Sequence, residues 1–138
     1  RRLPRRNWRL QMLKSERITG YGGITFGYTV VERHIQNYFF EHLNEFLPNA
    51  KRVIRQDIAG DDRRGIPDGW VMWYGVLCPV EVKQRTFGLC AVSQICRYME
   101  NYGCNHGIAV AERFVVRKRP DITYITIPVD RSLEAANG

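Results

Sequence analysis

The chain predicts an α/β domain with a mixed central β-sheet flanked by helices, in the order helix, three strands, helix and one or two further strands. Three observations carry that expectation. Apolar residues recur at helical spacing over residues 30–47. Two β-rich runs, 69–74 and 76–83, meet at Gly75 as a hairpin would. A second amphipathic run, 90–102, leads into short β-rich segments at 108–111 and 122–127. With 138 residues and 44% hydrophobic content, the chain suffices for one domain with a core but not for two.

Residues 1–29 read as a basic arm with a glycine-rich lead-in, 30–130 as the folded core and 131–138 as a tail. In 1–17, seven basic side chains (Arg1, Arg2, Arg5, Arg6, Arg9, Lys14 and Arg17) face Glu16 alone, a net of +6 out of the chain's formal +7. Such an arm neutralises phosphates with counterion release, lies on an acidic surface, or is simply solvated, and the run itself does not choose. Residues 18–29 hold Gly20, Gly22, Gly23 and Gly27 among β-formers and read as a loop or irregular strand.

On the first helix, Val31, Ile35, Tyr38, Phe39, His42, Leu43, Phe46 and Leu47 share one broad arc, and Pro48 closes the segment. Glu32 falls inside that arc, with Gln36 on the same inward side one turn later. An inward carboxylate is costly unless it is paired, protonated or metal-bound. An acid in a helix's first turn is also favoured by the dipole, so a structural and a functional reading of Glu32 both stand. Residues 51–58 suit a strand, and 59–65 a charged loop. On the second helix Ala91, Val92, Ile95, Cys96, Tyr98, Met99 and Tyr102 form the apolar arc and Gly103 ends it. The last strands are separated by the basic stretch 113–120.

Cys78, Cys90, Cys96 and Cys104 include no C-x-x-C pair and only three histidines accompany them, so they read as small buried thiols. No run approaches the roughly 20 apolar residues of a bilayer span, and no apolar run of signal-peptide type follows the N-terminal arginines. A soluble, intracellular protein of cytoplasm or nucleoid is expected.

The segment richest in chemistry is Gly65-Ile66-Pro67-Asp68, then twelve mostly apolar residues, then Glu81-Val82-Lys83. Residues two apart on a strand share a face, so Glu81 and Lys83 project together while Val82 turns inward. Magnesium prefers oxygen ligands and is commonly held by one or two carboxylates plus a substrate phosphate, which makes Asp68, Glu81 and the Val82 carbonyl candidate ligands.

With Glu32 on the leading helix and Gln94 on the following one, this order resembles the PD-(D/E)xK nuclease superfamily, and within it the VRR-NUC branch. The closer likeness rests on Glu32-Arg33-His34-Ile35-Gln36, on Gly65-Ile66-Pro67-Asp68 running into Trp70-Val71-Met72-Trp73, and on Val80 to Lys83 followed by Gln94 and Gly103. It covers roughly residues 30 to 111. The Gln94–Tyr98 spacing also fits the Q-x-x-x-Y signature of RecB-like relatives, and archaeal-type junction resolvases share the same acids.

The resemblance implies a restriction-endonuclease-like core and an endonuclease that hydrolyses DNA phosphodiester bonds with Mg²⁺ or Mn²⁺. Asp68, Glu81 and the Val82 carbonyl would hold the ion, and Glu32 would join directly or through water. Lys83 would orient or deprotonate the attacking water, Gln94 would position Lys83 or touch the phosphate, and Gln36 and Tyr98 would support them. No base-reading motif is visible, so contacts to the DNA backbone are expected from the arm's Arg1, Arg2, Arg5, Arg6 and Arg9, and from Arg63, Arg64, Arg85, Arg117, Lys118 and Arg119. The implied enzyme is a homodimer selective for branched or four-way-junction DNA, without membrane or small-molecule partners. The alternative is a nuclease-fold module that binds nucleic acid without turnover.

Overall fold

A computed structural model describes residues 24–54, 58 and 65–131, with side chains from Val31 onward. The first helix, α1, runs over Ile24–Glu41, and a short helix, α2, over Leu43–Phe46. The helix therefore starts within the stretch expected to be an irregular lead-in. Ile24, Tyr28, Val31 and Ile35 continue the helical period through Gly27, whose propensity cost of about 1 kcal/mol does not break it. At the other end the expected single helix is interrupted at His42, whose Nδ1 lies 2.9 Å from the Tyr38 carbonyl. Asn44 then donates to the carbonyls of Leu47 (3.2 Å) and Ala50 (2.8 Å), closing the turn before the sheet.

The strands are β1 (Lys51–Arg52), β2 (Gly69–Trp73), β3 (Val76–Val82), β4 (Thr86–Phe87), β5 (Gly107–Ala111), β6 (Arg113–Phe114) and β7 (Ile122–Thr126), with α3 (Leu89–Tyr102) between β4 and β5. Of the strand expected over 51–58, Lys51 and Arg52 pair with Met72 and Val71 and the Val53 N–H donates to the Trp70 carbonyl at 3.0 Å; Ile54 is already exposed, and 55–57 lie outside the described residues. The β2–β3 hairpin turns through Tyr74 (φ 51°) and Gly75 (φ 76°), the two left-handed residues that a two-residue hairpin turn requires. Gly103 closes α3 with φ 68° and a backbone bond to Met99 or Glu100.

Five strands form one mixed sheet in the order β1-β2-β3-β5-β7. The first two pairings are antiparallel; β3–β5 and β5–β7 are parallel, the former joined by the α3 crossover. The parallel pair β4–β6 makes a separate small sheet inside segments read from the sequence as connections. Each is two residues long, too short to carry a period.

Alternation across the pleat divides the core. Cys78, Val80 and Val82 of β3, with Ile108 and Val110 of β5, face Val31, Ile35 and Phe39 of α1. Ala109 and Ala111 face Ile95 and Met99 of α3. With helices on both faces, β3 is buried along most of its length, Glu81 included at 3% exposure. The four cysteines are free thiols; Cys78 is buried as expected, but Cys90 at the start of α3 is exposed and Cys96 and Cys104 are half-buried. Among the described residues, no helix is long and apolar enough to cross a membrane.

Candidate metal centre

Asp68 sits where the β2–β3 hairpin opens. Its backbone N–H donates to the Val80 carbonyl at 3.0 Å, continuing the antiparallel ladder by one step. Its Oδ2 then accepts the Val82 N–H at 2.7 Å, so a side chain replaces the backbone acceptor that β2 would have supplied. Lys83 N–H turns to the other edge and donates to Val110 at 2.9 Å. Since N–H and C=O of one strand residue point to the same edge, the Val82 carbonyl faces the Asp68 side, as a third oxygen ligand must.

Glu81 and Lys83 share the α3 face, with Glu81 in register with the small Ala109. Lys83 Nζ lies 3.1 Å from Glu81 Oε2 and donates to Gln94 Oε1 at 3.2 Å. Gln94 Nε2 donates to the Tyr98 hydroxyl at 2.9 Å, which fixes the orientation of the amide. Glu32 comes from α1 on the opposite face and joins where the chain leaves β3, its carboxylate accepting the Gln84 N–H. Glu32, Lys83, Gln84, Arg85 and Thr86 line a cleft of about 330 Å³ there.

The carboxylates are in electrostatic conflict. Burial pushes Glu81 up to about 8, and repulsion from Asp68 and Glu32 adds to this against the pull of Lys83. Asp68 is also raised by burial, although the Val82 N–H, Lys83 and a hydrogen bond with Glu81 work the other way. Glu32 is raised chiefly by burial, with Lys83 opposing. For Lys83 burial favours the neutral form, but Glu81, Glu32 and Asp68 outweigh it and hold the ammonium above its usual range. Burial and mutual repulsion thus favour the protonated form of these acids, Glu81 most of all, beside a lysine held in its charged form.

This donor set fits a hard divalent cation. Two carboxylates within hydrogen-bonding reach of each other and a carbonyl on the same edge supply only oxygen, and a cation between them removes the repulsion that now retains a proton. Among the described residues, no three His, Cys, Asp or Glu side chains are drawn together tightly enough to hold an ion by themselves. Glu32 stands beside the site, lining the cleft with Lys83. Gln84 Oε1, buried without a hydrogen-bond partner among the described residues, offers another acceptor.

Of the residues singled out from the sequence, Glu32, Asp68, Glu81, Val82, Lys83, Gln94 and Tyr98 come together. Gln36 is half-buried one turn along α1, with no hydrogen bond linking it to Glu32. Arg1, Arg2, Arg5, Arg6, Arg9, Arg63 and Arg64 lie outside the described residues. Two of the remaining basic candidates are already engaged: Arg85 with Glu112 at 2.9 Å, and Arg119 through two 2.9 Å bonds to Asp121. Arg117 and Lys118 are exposed beside a cavity of about 810 Å³ that is bordered by Leu89 and Val115. Sequence reasoning missed Gln84 and Tyr102, whose hydroxyl donates to the Gly65 carbonyl at 3.1 Å. The signal for Tyr102 was its place four residues beyond Tyr98 on the same helix face. Comparisons of the chain with protein-family models, with curated proteins and with solved structures return no match.

Proposed function

We propose that the protein is a Mg²⁺- or Mn²⁺-dependent endonuclease that hydrolyses DNA phosphodiester bonds on a restriction-endonuclease-like core. The observation that carries this reading is the convergence of Asp68, Glu81 and Lys83 on one edge and face of the sheet, with Glu32 and Gln94 reaching them from two different helices. A structural ion pair needs only Glu81 and Lys83; Asp68 and Glu32, drawn to the same place, add a repulsion between acids that a structural role does not require.

A divalent ion held by Asp68, Glu81 and the Val82 carbonyl supplies positive charge to the phosphate and an acidified water. The protein's own groups do the rest. Lys83, kept cationic by the surrounding acids, neutralises charge on the phosphate and orients the attacking water. Gln94, with its amide fixed by Tyr98, accepts from the ammonium and holds Lys83 in place beside Glu81. Glu32 beside the site accepts a proton or a water from the cleft side.

DNA is engaged through its backbone, selectively at branched structures such as four-way junctions, by a homodimer whose two-fold axis matches that of the substrate. The test is incubation of the protein with labelled junction, flap, duplex and single-stranded DNA in Mg²⁺, Mn²⁺ or EDTA. Cleavage confined to the metal-containing reactions and favouring the junction is the expected result. Lys83→Ala should lower cleavage by roughly 10²–10⁴-fold while DNA binding persists. Unchanged products from this variant would favour a binding module and a contaminating activity.

A further inference from the structure

Gln94, Tyr98 and Tyr102 form a row along α3 at intervals of four residues, and the row is tied to the candidate metal centre at both ends. At one end Gln94 Oε1 accepts from Lys83 Nζ at 3.2 Å. At the other, Tyr102 donates its hydroxyl to the Gly65 carbonyl at 3.1 Å. Gly65 has φ +102°, and the Tyr98 ring stands against it, its Cε1 3.2 Å from where a side chain's first carbon would lie. The Tyr102 ring meets Trp70 edge-on at 4.7 Å between centroids, and Trp70 is 2% exposed. Asp68 is thus bracketed by the contacts of one tyrosine: Gly65 three residues before it and Trp70 two residues after.

We propose that Tyr102 is a positioning residue that fixes Asp68 relative to Lys83, with α3 serving as a caliper whose two jaws are Gln94 and Tyr102. The downstream side of Asp68 is held by the sheet through its N–H bond to Val80. Among the described residues the upstream stretch 65–67 has no ladder, and the Tyr102 hydroxyl supplies a fixture at Gly65. Loss of that bond lets the Pro67–Asp68 segment move away from the Val82 amide, so that the Asp68 carboxylate is no longer preset for an ion.

This inference rests on the metal reading above, and the experiment separates their failures. Calorimetric titration of the full chain with Mn²⁺, in parallel with melting in EDTA, compares wild type with Tyr102→Phe, Tyr102→Leu and the remote core variant Leu47→Ala. Tyr102→Phe keeps the ring on Trp70, so its melting temperature in EDTA should fall less than that of Leu47→Ala. Its Mn²⁺ dissociation constant should rise about fivefold, the equivalent of one ordinary protein hydrogen bond. Tyr102→Leu, which also removes the ring, should weaken Mn²⁺ binding further. Leu47→Ala should lose stability and keep its affinity. Wild-type affinity in Tyr102→Phe, or an equal loss of affinity in Leu47→Ala, overturns the assignment. If wild type takes up no Mn²⁺, the metal reading itself fails and the assignment falls with it.

Discussion

Glu81 concentrates the cost of the site in one side chain. Its folded carboxyl holds a proton up to about pH 8, whereas an ordinary glutamate releases it near 4.5. The stability this proton contributes is therefore fully present below 4.5 and is lost as the pH rises through about 8. Metal-free protein should weaken over that interval. Glu81→Gln, which imitates the protonated group, should flatten the dependence and lose less stability than wild type between pH 5.5 and 8.5. Urea unfolding in EDTA at pH 5.5 and 8.5 measures both effects, and parallel pH profiles for the two proteins would contradict an origin in Glu81. The residues themselves were legible because acids two elements apart in an apolar setting already demand a counter-charge. The bonds that tune them, such as that from Gln84 N–H to Glu32, were not, because a backbone donor leaves no mark in the sequence.

At the scale of elements, the position of Asp68 depends on how closely α1 approaches β2. Gly69, in register with Val80, faces α1, and the Phe40 ring occupies the space a side chain would need; Arg52 lies over the same ring at 4.1 Å. Gly69→Ala must displace that ring or the strand, at a cost of roughly 1–3 kcal/mol. Because residue 69 follows Asp68, cleavage should fall by more than the lost stability explains. Gly75, with φ 76° and nothing within 4 Å of its missing side chain, should accept asparagine, which tolerates the left-handed conformation, with little change in either measurement. Melting curves and metal-dependent cleavage of the two variants make the comparison. The helices, the hairpin and the buried parallel strands could be read from the sequence, since each runs long enough to display its period. β4 and β6 could not, because two-residue strands are defined by their partners, whereas β1 lies inside the strand expected over 51–58 and is shorter than expected. Gly27 reads as a turn former in the sequence, yet an apolar helical period runs through it.

For the whole molecule, the candidate site couples ion uptake to folding. An ion that binds only the native arrangement adds about 2.7 kcal/mol at a hundredfold excess over its dissociation constant. Mn²⁺ or Mg²⁺ should raise the melting temperature of wild type, more so at pH 8 than at pH 6, where the proton on Glu81 competes. Asp68→Asn should abolish the rise together with cleavage, and a full rise in that variant would rule out the site. The pleat of β3 has a consequence for how such a chain can change. Glu81 faces α3 and Val82 faces α1 because they fall on opposite phases of a two-residue repeat. A single residue inserted within β3 ahead of Glu81 would turn the carboxylate into the valine- and isoleucine-lined core and offer valine to the ion. Two inserted residues would restore both faces. In this strand, changes of length keep the site only in even steps, so parity constrains it more tightly than the identity of any residue between Val76 and Val80.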